Sequence, residues 1–288
     1  MNDDTTEKPI WLQILQFPPI RLLLLGAPIF YCLGSSNHFR GQNKDDIILA
    51  TVAVAAMVSL AIFIYIGFAR FIERREATEL SLPGMSRELG IGLLIGSGLY
   101  TACILILMAL GMYRIEGFNP VTFMLTAIPM ALSSSFMEEL LFRGVLFRIV
   151  EEWLGSWISV IVSSFVFGFV HLMNPDATIT GALFISVEAG LLLAAAYMLT
   201  RRLWMSIGFH MSWNYTQEAV FSGIVSGGES DPGLIKPVID GPALLTGGQF
   251  GIEASLPAFI LCTTVGVILL VKAVKKGNVV LPFWAAKK

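Results

Sequence analysis

Charge is what this sequence has least of. Lys, Arg, Asp and Glu together make up 14% of its 288 residues, against about 25% in an ordinary soluble chain. A chain this poor in charge cannot coat its own surface for water, so much of that surface must face lipid. Its net charge is only −2, which leaves no basic field to attract nucleic acid. Cysteine is also scarce. Cys32, Cys103 and Cys262 each lie in or beside an apolar run, and no two share a C-x-x-C spacing. That excludes a disulfide scaffold, a redox pair and a cysteine zinc site, and leaves three small buried hydrophobes. The N-terminus lacks the basic region and small-residue cleavage site of a signal peptide. Asp3, Asp4 and Glu7 make it acidic instead, so it is expected to be retained. Repeats at the usual periods and low-complexity tracts are missing too, as is the strand alternation of a membrane barrel.

What the sequence has is hydrophobic length. Apolar residues make up 55% of it, and the mean hydropathy is +0.74. A helix crosses a bilayer with about 20 apolar residues, and lipid admits only helices or closed barrels. Eight runs are expected to span: 47–69, 89–113, 121–147, 156–173, 179–200, 203–224 and 255–274, with the shorter 20–33 spanning with help from its flanks. The fold class is therefore all-α, a polytopic bundle forming one integral membrane domain over 1–288. With the N-terminus in the cytoplasm, 15 Lys and Arg fall on the inner side and only Arg40, Lys44, Arg114 and Lys236 on the outer. The positive-inside rule then puts both termini in the cytoplasm of a multi-pass protein of the cytoplasmic membrane. Gly92-x-x-x-Gly96 reads as a close helix-packing face. The stretch 226–251, with Gly227-Gly228, Pro232-Gly233 and Gly247-Gly248, is longer than an ordinary loop. It is expected to border a site.

Ionisable groups inside membrane helices are costly, so each is a functional hypothesis. The fourth run carries Glu138, Glu139 and Arg143, the fifth His171, the sixth Glu188, and the seventh His210, Asn214 and Glu218. Glu139 lies 16 residues before the turn at Gly155 and His171 lies 16 after it, so an antiparallel pair of helices brings them to one depth. His210 and Asn214 share a helix face at i,i+4, and so do Glu139 and Arg143. His210 matches that depth less well, being about eight residues from the Arg201-Arg202 turn. Such a group suits water activation. If Arg143 occupies Glu139, Glu138 is the free general base with His171 as its partner, and His210 and Asn214 are oxyanion donors. Alternatively Glu138, His171 and His210 could hold a divalent metal such as zinc. Taken singly, Glu139–Arg143 could be a packing ion pair, and Glu188 an interhelical hydrogen bonder.

The stretches Glu138-Glu139-Leu-Leu-Phe-Arg143, Phe167-Gly-Phe-Val-His171 and His210-Met-Ser-Trp-Asn214 resemble the E-E-x-x-x-R, F-x-x-x-H and H-x-x-x-N motifs of the CPBP family. That family comprises the CAAX prenyl proteases and bacteriocin-processing enzymes, also called Abi, and the bacterial members are the more similar. The resemblance covers about 120–220. It implies an intramembrane endopeptidase whose site is reached from the cytoplasmic side. Glu138 and His171 would activate water, His210 and Asn214 would bind the oxyanion, and Glu139 and Arg143 would support them. The partners expected are membrane lipid and a membrane-associated peptide or protein. Two other classes compete: a non-catalytic immunity or scaffold module on the same helices, and a proton-coupled transporter. The transporter lacks the inverted repeats and paired broken helices of its class.

Overall fold

In the computed structural model, residues 9–229 and 231–285 are described. Asp3, Asp4 and Glu7, and the basic Lys8, Lys287 and Lys288, lie outside them. A short lead-in helix, Ile10–Leu15, precedes a bundle of long ones: α1 Pro18–Gln42, α2 Ile47–Glu73, α3 Met85–Ala109, α4 Val121–Leu154, α5 Ser156–Met173, α6 Ile179–Thr200 and α8 Leu256–Lys275. These seven are the helices among the described residues that are long and apolar enough to cross a membrane. Local chemistry sets their ends. Pro18 and Pro19 open α1, where the missing N–H costs nothing. Asp46 caps α2 by accepting from the Leu49 N–H at 2.9 Å, and Ser255 caps α8 through the Ala258 N–H. Gly155, at φ 82°, makes the tight reversal between α4 and α5.

Two expectations need correction. The run 203–224 forms a shorter helix, α7, of Trp204–Tyr215 with a π-helical extension Thr216–Val220. It is shorter than the seven long apolar helices and is enclosed by them. Ten of its residues, His210 and Asn214 among them, are buried, so its polar side chains never meet lipid. The run 89–113 ends as helix at Ala109, and Tyr113–Phe118 is instead a strand, β1. It pairs antiparallel with β2, Ile235–Ile239, with Tyr113 opposite Ile239. This two-stranded ribbon is the one sheet among the described residues.

Close packing depends on small residues. A Cβ on Gly92 or Gly96 would collide with the α7 backbone at Met205 and Phe209, and one on Gly208 would strike Leu89 of α3. The Gly92-x-x-x-Gly96 face therefore seats α3 directly on α7. Gly168 and Gly190 do the same for α5 and α6, against Ala182 and Ser164. Large apolar side chains such as Leu23, Tyr31, Ile48, Phe63 and Leu94 remain exposed on the outer helix faces, as a lipid-facing surface requires.

Polar residues coincide with departures from α-helical geometry. Short π-helical stretches occur at Ala69–Glu73, Ser134–Glu138, Leu140–Phe147, Ser186–Gly190 and Thr216–Val220, and four of the five contain a glutamate: Glu73, Glu138, Glu188 and Glu218. A π-turn disturbs the backbone ladder and is common at functional sites. Several carbonyls in these stretches take side-chain donors. Gly144 receives Arg148 Nε at 2.8 Å and the Tyr65 hydroxyl at 3.0 Å. Phe147 receives Ser159 Oγ at 2.5 Å, and Gly190 receives an Arg143 Nη at 3.3 Å.

Candidate active site

The three motifs converge in the bundle interior. Glu139 and Arg143 pair one helical turn apart on α4, Nη1 to Oε1 at 2.9 Å, and both side chains are 0% exposed. The same Glu139 oxygen accepts from His210 Nδ1 of α7 at 2.9 Å. One carboxylate thus fastens α7 to α4 and fixes the imidazole, a role beyond the ion pair foreseen from the sequence. Arg143 also lies over the Phe167 ring of α5, 4.4 Å from its centroid. Phe167 in turn packs edge-on against His171 at 5.0 Å and His210 at 6.0 Å. The phenylalanine of the second motif is therefore the hub on which the charged residues of all three motifs rest.

Glu138 is left with little to bind. Its side chain is 17% exposed, and its buried Oε2 has no hydrogen-bond partner. The nearest ring nitrogen is His210 Nε2, at 3.9 Å. Among the described residues Glu138 has no such contact with His171, the partner expected for it. His171 instead donates from Nδ1 to the Phe167 carbonyl at 2.7 Å, which leaves Nε2 with a free lone pair. Asn214 donates through Nδ2 to Ser134 Oγ at 3.0 Å, one turn before Glu138, and retains a second N–H. Ser134 carried no sequence signal: a serine in a membrane helix is common and its partner is 80 residues away.

Glu138, His171, His210 and Asn214 all line a cavity of about 450 Å³, together with residues from α1 and from the 225–229 segment. A second cavity of about 30 Å³, large enough to hold water, also adjoins His171, His210 and Asn214. It is lined also by Glu188, Trp213, Ser226 and Glu253. Glu253 is held by Trp213 Nε1 at 3.0 Å and Ser226 Oγ at 2.6 Å. The long loop does border the site, through Ser226 and Glu253. Glu188 is 2% exposed, and its Oε2 is buried without a partner. Glu218 lies outside both linings and accepts the Asp231 N–H at 3.1 Å.

Glu138, His171 and His210 share the large cavity, yet among the described residues no three His, Cys, Asp or Glu side chains stand close enough together to hold a metal ion. The cavity is lined by Phe30 to Arg40 of α1 and by Met173 to Pro175, at the end of the bundle opposite Gly155 and the Arg201-Arg202 turn.

No curated protein and no solved structure matches the chain significantly. A family model does, described as type II CAAX prenyl endopeptidase Rce1-like, over residues 120–216. That segment runs from the start of α4 to the end of α7 and contains Glu138, Glu139, Arg143, Phe167, His171, His210 and Asn214. Residues 120–216 of this multi-pass helical membrane protein are thus similar to the Rce1-like CAAX prenyl endopeptidases, the group whose motifs Glu138–Arg143, Phe167–His171 and His210–Asn214 resemble.

Proposed function

We propose that the chain is an intramembrane endopeptidase that hydrolyses a peptide bond in a membrane-associated peptide or protein. The observation that carries this reading is the contrast within one glutamate pair. Glu139, 0% exposed, is committed through Oε1 to both Arg143 and His210, while Glu138, 17% exposed, faces the cavity beside His171 and Asn214 with neither of those bonds.

The chemistry follows from these placements. Glu138 takes a proton from water as the oxygen attacks the substrate carbonyl carbon, and His171 Nε2 orients that water by accepting its other hydrogen. The carbonyl oxygen becomes an oxyanion. It is met by the free Asn214 N–H and by His210, whose Nδ1–H is held by Glu139 so that the nearby carboxylate supports a second proton on Nε2. When the C–N bond breaks, Glu138 returns its proton to the leaving amine, so the enzyme ends as it began.

Charge asymmetry suggests from which side the substrate comes. Arg70, Arg74, Arg75, Arg87, Arg148, Arg201, Arg202, Lys272, Lys275 and Lys276 gather at one end of the bundle. The cavity opens at the other. By the positive-inside rule the substrate arrives from the non-cytoplasmic face, in contrast to the cytoplasmic access that the resemblance implied. In a background lacking Cys32, Cys103 and Cys262, which are all buried, a membrane-impermeant thiol reagent should label Glu229→Cys in sealed cells.

The activity itself is tested with detergent-purified protein and a fluorogenic library of membrane-anchored and C-terminal peptides. Wild type, Glu138→Ala and His171→Ala are run with and without a chelator. Cleavage by wild type alone, unchanged by chelator, is expected. Equal cleavage by all three proteins would refute the reading.

A further inference from the structure

Along α1, the residues that line the large cavity are Phe30, Leu33, Gly34, Asn37 and Arg40, spaced so that they form one helix face. Arg40 is the only Lys or Arg in that lining. Its Nε is buried and has no hydrogen-bond partner. Glu218 and Asp231 stand near it, Glu218 close enough to feel its charge, but among the described residues neither forms an ion pair with it. Glu229, at the cavity rim, pairs with Lys44 at 3.5 Å, and Glu218 accepts the Asp231 N–H. Among the described residues Arg40 has no ion pair; Arg70, Arg74, Arg87 and Arg114 also have none, but they do not line the cavity, whereas Arg143, the arginine beside it, is paired with Glu139. A guanidinium with unused N–H groups at the wall of a cavity has one natural complement, a carboxylate, which accepts from two of them at once.

Its distance from the reacting centre can be read from helix register. Ser36 Oγ of α1 meets Ser133 Oγ of α4 at 2.7 Å and Met137 Sδ at 3.8 Å. Arg40 lies one turn beyond Ser36 towards the mouth. Glu138 follows Met137 in the opposite direction, because α4 runs antiparallel to α1. At 1.5 Å per helical residue, Arg40 and Glu138 are separated along the bundle by about 10 Å. An extended peptide covers that distance in about three residues.

We propose that Arg40 is a specificity-determining residue that holds a carboxylate of the substrate and thereby sets which peptide bond reaches Glu138. This rests on the endopeptidase reading of the site. The carboxylate could belong to a chain terminus or to an acidic side chain, and both chemistries are tested.

The probes are three versions of one fluorescent peptide library: free C-terminal acid, C-terminal amide, and amide with an aspartate at the last position. Binding is measured by anisotropy in the full-length Glu138→Gln protein, which separates recognition from cleavage. Cleavage is measured with Glu138 intact. The acid library should bind about tenfold or more tightly than the amide. Arg40→Gln should abolish that ratio by weakening only the acid, and Arg40→Lys should restore part of it. Restoration of tight binding by the aspartate library would assign the contact to a side chain. A ratio of acid to amide binding that survives in Arg40→Gln, or equal binding of the acid, amide and aspartate libraries by the parent, would overturn the role given to Arg40. Normal acid preference in binding with no cleavage by the protein with Glu138 intact would leave Arg40 standing and count against the protease reading instead.

Discussion

Two polar clusters occupy this bundle, and they spend their bonding capacity in opposite ways. At the basic end, Glu73 accepts from Arg75 at 2.7 Å and Arg148 at 2.9 Å, and also from Arg21. Glu152 takes Arg21 and Arg148, both at 2.7 Å. Glu79 binds Arg75 at 2.7 Å and the Tyr65 hydroxyl, and Glu151 pairs with Arg201 at 2.8 Å. This network ties α1, α2, α4 and the end of α6 together. Near the motifs, by contrast, Glu138 Oε2, Glu139 Oε2, Arg143 Nε and Glu188 Oε2 are all buried without hydrogen-bond partners. Buried polar groups are rarely left in this state. A cluster with every oxygen engaged holds helices in place, whereas one with unused acceptors is equipped to take up water and substrate.

The sharpest break of this contrast would come at His171. Its Nε2 is free and its Nδ1 is fixed by Phe167, so His171→Ala should lower the cleavage rate by about 10²–10⁴, the range of an acid–base partner, with little change in the melting temperature. Arg143→Met should show the reverse emphasis. Removing one member of a buried ion pair typically costs about 3–5 kcal/mol, and thermal unfolding in detergent should report a loss of that order. Asn214→Ala should lower kcat by about 10²–10³ with a smaller effect on KM, as expected for an oxyanion donor.

The smallest effects are opposite pH slopes from two loop carboxylates. Burial alone would raise the Glu79 carboxyl, but the hydrogen bond from Arg75 and the charge of Arg148 outweigh it and hold it below its ordinary 4.5. Its contribution to stability is therefore complete above 4.5 and lost as pH falls through the folded value. Glu253 behaves the other way. Burial raises it above 4.5 despite the hydrogen bonds from Ser226 and Trp213, so its favourable share is complete below 4.5 and lost as pH rises through the folded value. In melting curves across pH, Glu79→Gln should flatten the acid side, and Glu253→Gln should raise stability relative to wild type on the neutral side.

Much of the site was legible because one turn sets the register of two helices. Glu139 and His171 are equidistant from Gly155, and so are Arg143 and Phe167, which meet at 4.4 Å. The poor depth match of His210 resolves at the Glu139 contact. Part of the difference lies in the π-helical stretch Leu140–Phe147, whose wider turns advance less per residue and shorten the path from Glu139 to Gly155. Hydrophobic periodicity carries no trace of such stretches, some of whose carbonyls bond side chains of other helices, as Phe147 does with Ser159 and Gly190 with Arg143. Ser134 and Phe167 were invisible as contact partners for the same reason. Arg40 reads in the sequence as one more charge near a helix end, and only the packing of α1 against α4 places it on the cavity. The β1–β2 ribbon escaped because its strands are over a hundred residues apart and one contains Pro237.

The central claim is a division of labour between adjacent glutamates, and one paired measurement tests it: cleavage rate and melting temperature for Glu138→Gln and Glu139→Gln beside wild type. The account predicts that Glu138→Gln melts with wild type and loses cleavage by at least about 10², whereas Glu139→Gln melts lower because Arg143 and His210 lose the charge they share. Wild-type cleavage by Glu138→Gln, or a melting loss in Glu138→Gln equal to that in Glu139→Gln, would contradict it.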